Sequence, residues 1–126
     1  MAVIASIFVA LAALLHGYIF LMESVWWTRP ATWKRFGVAD QAAADTTRPM
    51  AYNQGFYNLF LAAGIVVGLV LVGMGEVAAG RAIVLFACAC MVGAGIVLVA
   101  TSRRFLTAAA LQSGPPLLAI VAALLL

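Results

Sequence analysis

The chain has 126 residues, of which 67% are hydrophobic and 9% charged, with a formal net charge of +3 and a mean hydropathy of +1.15. So few polar groups cannot cover a soluble globular domain, and lipid is the expected solvent. Four spans of about 20 residues leave no room for a separate soluble domain, and the positive charge, scattered over short connecting segments, forms no stripe for nucleic acid.

Taken in chain order, the first apolar run extends from Val3 to Trp27. It lacks a basic start and is longer than the apolar region of a cleaved signal, so we read it as a retained span whose Trp26 and Trp27 lie in an interfacial belt. Thr28 to Pro49 follows as the one sizeable loop. Arg29-Pro30 stops the helix, Thr32 to Phe36 mixes aromatic and basic residues as an interfacial helical turn does, and Asp40 to Asp45 is Ala-rich enough for a second short helical piece. Span two is expected over Met50 to Met74, span three over Arg81 to Ser102 and span four from Phe105 to the C-terminus, interrupted at Gly114-Pro115-Pro116. The predicted fold is therefore all-α, a four-transmembrane-helix bundle forming a single domain over residues 1–126, with a short cytoplasmic loop helix between spans one and two.

Basic residues set the expected orientation. Arg29, Lys34, Arg35, Arg48, Arg103 and Arg104 share one membrane face and Arg81 alone lies on the other. Cytoplasmic loops collect Lys and Arg, which places both termini of this multi-pass cell-membrane protein outside the cytoplasm.

Small residues suggest where helices approach. Gly64-x-x-x-Gly68 in span two and Gly93 with Gly95 in span three favour a tight pairing of those two spans, with homo-oligomer formation as the competing use of the same stripe. Cys88 and Cys90 point about 200° apart on a helix, so they cannot bridge and are read as packing residues.

The polar residues inside the spans carry the functional expectation. His16 and Glu23 lie two turns apart on one stripe of span one, about 10 Å along its axis, while Asn53, Gln54, Tyr57 and Asn58 occupy an arc of about 140° at the start of span two. Gln112 and Ser113 add polar groups from span four, where Pro115 and Pro116 cannot donate to the carbonyls of Leu111 and Gln112. Counted from the cytoplasmic ends, all of these fall in one half of the bilayer. Amides and Tyr alone would serve as hydrogen-bond glue between helices. An ionisable Glu and His at membrane depth are costly enough to suggest function, and burial and mutual attraction act on them in opposite senses, as suits an acid-base pair.

His then Glu on the first span, Lys34-Arg35-Phe36-Gly37 in the loop, Asn53-Gln54-Gly55-x-Tyr57-Asn58 and the Gln112-to-Pro115 break together resemble a family of small bacterial four-span membrane proteins catalogued as a domain of unknown function. The likeness covers essentially the whole chain. It implies the four-span topology and brings no activity with it.

The expected function is binding of a small, mostly apolar ligand in an intramembrane polar pocket. His16 and Glu23 would move protons in isomerase-, hydratase- or cyclase-like chemistry, Tyr57 would be an auxiliary donor, and Asn53, Gln54, Asn58 and Gln112 would hold the ligand. A small proton-coupled transporter working as an oligomer, or a non-catalytic membrane subunit, are the alternatives. Neither a cofactor nor a metal is expected, since one His and one Glu fall short of the three ligands of a catalytic zinc.

Overall fold

In lipid every backbone polar group needs an internal partner, which favours uninterrupted helices. The computed structural model describes residues 2–125, and they form five α-helices: α1 (Val3–Phe20), α2 (Pro30–Trp33), α3 (Gln41–Gly73), α4 (Val77–Thr101) and α5 (Leu106–Leu125). A wide turn of π-helix, Leu21–Val25, continues α1, and a 3-10 turn, Arg103–Phe105, leads into α5. No strand occurs among the described residues. Four stretches are long and apolar enough to cross a membrane: Val3–Val25, Gln41–Gly73, Val77–Thr101 and Arg103–Leu125. The chain is an all-helical, multi-pass membrane protein; Leu126, at the end of the expected fourth span, lies outside the described residues.

Three features differ from the sequence expectation. The first span leaves regular helix at Phe20 and ends at Val25, and Trp27 beyond it is buried within the protein. The helix containing span two starts at Gln41, so the expected loop is shorter and the Asp40–Asp45 piece belongs to α3. Asp40 begins it as an N-cap, its Oδ1 accepting from the Ala43 N–H at 2.8 Å. Pro49 sits inside the helix and offers no N–H to the Asp45 carbonyl, a loss the neighbouring turns absorb. The third difference is at Pro115 and Pro116, which lie within a continuous α5 where an interruption was expected.

The chain divides into two compact units. The first comprises residues 2–15 and 61–125. Its core is Val9, Ala12, Ile65, Val84, Ala87, Cys88, Met91 and Ala119, with Phe8, Leu61, Leu69 and Ile120 packed around it. Close approach of backbones replaces large side chains at two places. A Cβ on Gly80 would overlap the Gly68 carbonyl oxygen and lie 2.8 Å from the Val72 nitrogen, and one on Gly68 would lie 2.7 Å from a Val84 methyl. A Cβ on Gly95 would overlap Ser113 Oγ. Gly64 and Gly93, by contrast, face open space, so the expected pairing of spans two and three runs through Gly68 and Gly80. Helix α3 ends in a Schellman motif, in which Gly75 takes a φ of 93°, the Glu76 N–H reaches the Leu71 carbonyl at 2.9 Å and the Gly75 N–H reaches that of Val72 at 3.1 Å. Near the far end of α5, Arg81 Nη2 donates to the Ala123 carbonyl at 2.8 Å.

The second unit, residues 16–60, contains the end of α1, the wide turn, α2 and the first part of α3. Helix α2 starts with Pro30 at its first turn. The segment after it closes at Gly37, whose φ is 71°, with the Val38 N–H on the Trp33 carbonyl at 3.2 Å and the Gly37 N–H on that of Lys34 at 3.1 Å. That bond pattern explains the glycine in the Lys34-to-Gly37 motif. Trp27 Nε1 donates to the Ala44 carbonyl at 3.0 Å while its ring lies 5.1 Å from that of Phe36. Gln41 ties the segment together, accepting from Trp33 Nε1 at 3.0 Å and donating to the Thr28 carbonyl at 3.0 Å and to Asp45 Oδ1 at 2.9 Å.

Candidate functional site

The first helix carries His16 in its last regular turns and Glu23 in the π turn beyond. His16 is 2% exposed and Glu23 9%, so both ionisable residues of the first span are buried. The turn around Glu23 is defined by the Trp26 N–H, which reaches back five residues to the Leu21 carbonyl at 2.8 Å. A turn closed by an i→i+5 bond advances less per residue than an α-helix, and such turns are frequent at functional sites. Glu23 is therefore displaced from the straight stripe through His16 that regular spacing predicts.

Asn58 Nδ2 donates to Glu23 Oε2 at 2.8 Å and also approaches the Gln54 carbonyl of its own helix at 3.3 Å. One carboxyl oxygen is thus fixed by an amide, and Oε1 carries no hydrogen bond among the described residues. The two helices are held together one residue further on, where Ser24 Oγ donates to the Tyr52 carbonyl at 2.7 Å. Gly55 makes this approach feasible: a Cβ there would overlap Ser24 Oγ and lie 3.0 Å from the Ser24 nitrogen. Ser24 and Gly55 were not singled out from the sequence, yet the glycine inside the Asn53-to-Asn58 block was the visible sign that a helix face had to stay bare.

The remaining predicted residues lie elsewhere. Asn53 and Gln54 are exposed and Tyr57 is 58% exposed, so the polar arc of α3 splits, with Asn58 turned inward and the other three outward. Gln112 is half-buried on α5, in the other unit. At about 1.5 Å per residue α3 is about 50 Å long, against a hydrocarbon thickness of about 30 Å. Part of α3 therefore extends beyond the hydrocarbon.

Aromatic rings flank this end of the hairpin. Phe20 meets Phe56 edge-on at 5.2 Å, and Phe56 in turn lies 5.0 Å from Tyr52 and 6.2 Å from Phe60. A buried carboxylate in the same unit can accept a proton or pair with a cation or hydroxyl on an otherwise apolar molecule. No group of three His, Cys, Asp or Glu able to hold a metal occurs among the described residues. Cys88 is buried and Cys90 half-buried, and both are free thiols.

No curated protein and no solved structure matches the chain. The family model described as "Protein of unknown function (DUF1304)" matches residues 10–124, nearly the whole length over which the helices and the Glu23–Asn58 contact have been described, and the chain belongs to that family.

Proposed function

We propose that this protein binds a small, mostly apolar molecule from the bilayer and engages its polar group with Glu23, transferring a proton to or from it. The observation that carries this reading is the state of the carboxyl group: buried in an irregular turn, held through Oε2 by Asn58, and left with Oε1 to meet a ligand. Ser113 Oγ is the one sealed side-chain polar atom without a partner among the described residues, so Oε1 is not closed off inside the protein and can take the polar group of a ligand. His16, two turns away on the same span, would be the second proton carrier; Tyr57 would be the auxiliary donor, and Asn53, Gln54 and Asn58 would hold the ligand. The basic residues between spans one and two and those at Arg103 and Arg104 support a cytoplasmic placement of this end, with both termini outside.

The test is carbodiimide labelling, which modifies protonated carboxylic acids in apolar surroundings, read by intact-mass measurement on the detergent-purified chain and on Glu23→Gln. One adduct on the wild type, absent from a Glu23→Gln variant with an unchanged melting curve, supports the reading. An unlabelled wild type, or a Glu23→Gln chain that no longer folds while Glu23→Gln with His16→Gln does, would show a structural pair instead. A second reading, a transporter acting as an oligomer, is favoured by the outward Asn53, Gln54 and Tyr57, which a second copy would cover. Cross-linking through cysteines introduced at Gln54 tests it, with no dimer as the outcome that removes it.

A further inference from the structure

The surface of the second unit carries cations that are positioned without being neutralised. Arg35 Nη1 lies 3.3 Å from the Tyr18 hydroxyl oxygen, to which it donates. The Tyr18 ring stands edge-on to Trp26, with centroids 6.1 Å apart, and the Arg29 guanidinium sits 5.4 Å from the centre of the same Trp26 ring. Two guanidinium groups are therefore fixed to one aromatic pair, one through a phenol and one through a ring face. Neither contact consumes charge. A cation resting on a ring keeps its in-plane N–H donors, and a guanidinium spending one N–H on a phenol keeps the rest of its fork.

The carboxylates of the same unit are engaged elsewhere. Asp40 caps the Ala43 N–H, Asp45 accepts from Gln41 and Glu23 is buried against Asn58. No ion pair with Arg29 or Arg35 occurs among the described residues, and both side chains are exposed. Their level is set by the chain: Trp26 directly follows the span Val3–Val25, and a Trp at a span end marks the boundary between hydrocarbon and headgroups. Tyr18 and Val25, 39% and 58% exposed, give the same helix end an apolar flank.

We infer that Arg29 and Arg35, set on the Tyr18–Trp26 pair, form a binding site for the phosphate of an anionic phospholipid in the surrounding bilayer. A guanidinium fork donates in pairs to the non-bridging oxygens of a phosphate, and two such cations favour an anionic headgroup over a zwitterionic one. A lipid, rather than a free phosphate, suits a site at the headgroup level with apolar surface below it. The inference is independent of any ligand at Glu23.

Native mass spectrometry of the full chain in detergent, titrated with phosphatidylglycerol or with phosphatidylcholine of the same acyl chains, tests the site. With Arg29 and Arg35 each contributing the usual share of a basic residue near the surface, the wild type should prefer phosphatidylglycerol by about 30-fold. Arg29→Gln with Arg35→Gln should abolish the preference. Lys34→Gln with Arg48→Gln, which removes equal charge from the same unit, should leave most of it. Absence of preference in the wild type, or equal loss in both double variants, would overturn the site in favour of diffuse attraction. Displacement of the lipid by an equal concentration of glycerol 3-phosphate would overturn the choice of a lipid. Circular dichroism melts accompany each variant. Should the arginine pair variant fail to fold, Tyr18→Phe decides: a preference lowered about threefold supports the site, and an unchanged one removes it.

Discussion

The two units of this chain are held together by different means. Residues 2–15 and 61–125 rely on missing side chains: Gly68 against Gly80, Gly95 against Ser113, and a core of Val, Ala, Ile, Cys and Met. Residues 16–60 rely on directed bonds, with Ser24, Trp27 and Gln41 each donating to a backbone carbonyl across the unit. The contrast follows from solvent and regularity. Between regular helices in lipid no hydrophobic force favours contact, so attraction grows only by bringing atoms closer. Where the chain turns, polar side-chain tips come into reach of backbone carbonyls: Gln41 pairs the Thr28 carbonyl left open by the turn, and Ser24 and Trp27 add a donor to carbonyls of α3. The candidate site lies in the unit that uses bonds.

The sharpest test of that contrast is Gly80→Leu. Its Cβ would meet backbone atoms, the Gly68 oxygen and the Val72 nitrogen, which cannot rotate away, so a loss of about 3 kcal/mol or more is expected in denaturation from mixed detergent. An unchanged transition would mean the unit does not depend on close approach. Gly55→Ala probes the same kind of contact inside the bonded unit and should cost about 2 kcal/mol. Because the obstacle there is largely the Ser24 side chain, adding Ser24→Gly should recover much of the loss, a coupling a double-mutant cycle reads directly.

Smaller effects sharpen the comparison. Arg81→Met removes a charge-assisted bond to the Ala123 carbonyl, one of the few directed bonds in the glycine-packed unit, and should cost about 1.5 kcal/mol. Trp27→Phe keeps a ring beside Phe36 but leaves the Ala44 carbonyl without its indole donor; about 1 kcal/mol is expected by the same unfolding measurement. Gly64→Ala, facing open space, should cost nothing and gain about 0.5 kcal/mol of helix preference. If Gly64→Ala matched Gly80→Leu, the glycines would be acting through helix flexibility rather than contact.

The spans were legible because long apolar runs with few charges have one structural outcome in lipid. Their ends were less so. Pro49 reads as a stop, but the helix Gln41–Gly73 passes through it, forgoing one bond to the Asp45 carbonyl. Gly64 and Gly68 look equivalent in spacing, and only the opposing helix distinguishes them. Of the candidate site, Glu23 and Asn58 were visible as polar residues at membrane depth, whereas an arc as wide as that from Asn53 to Asn58 contains both an inward and an outward sector. Nothing in Leu-Met-Glu-Ser-Val signals the π turn, because a widened turn answers to what packs against it.

That turn can be viewed as one residue too many. Counting back from the Trp26 N–H to the Leu21 carbonyl passes one residue more than an α-helical turn holds, as though a single codon had been added and its effect confined to one coil. Residues before Leu21 and after Val25 then follow two helical phases offset from each other, and Glu23 sits at the seam. Deleting Met22 would merge the phases, with a rotation of about 100° per residue removed, and would swing the carboxyl group off Asn58 while leaving every other side chain in the protein chemically unaltered.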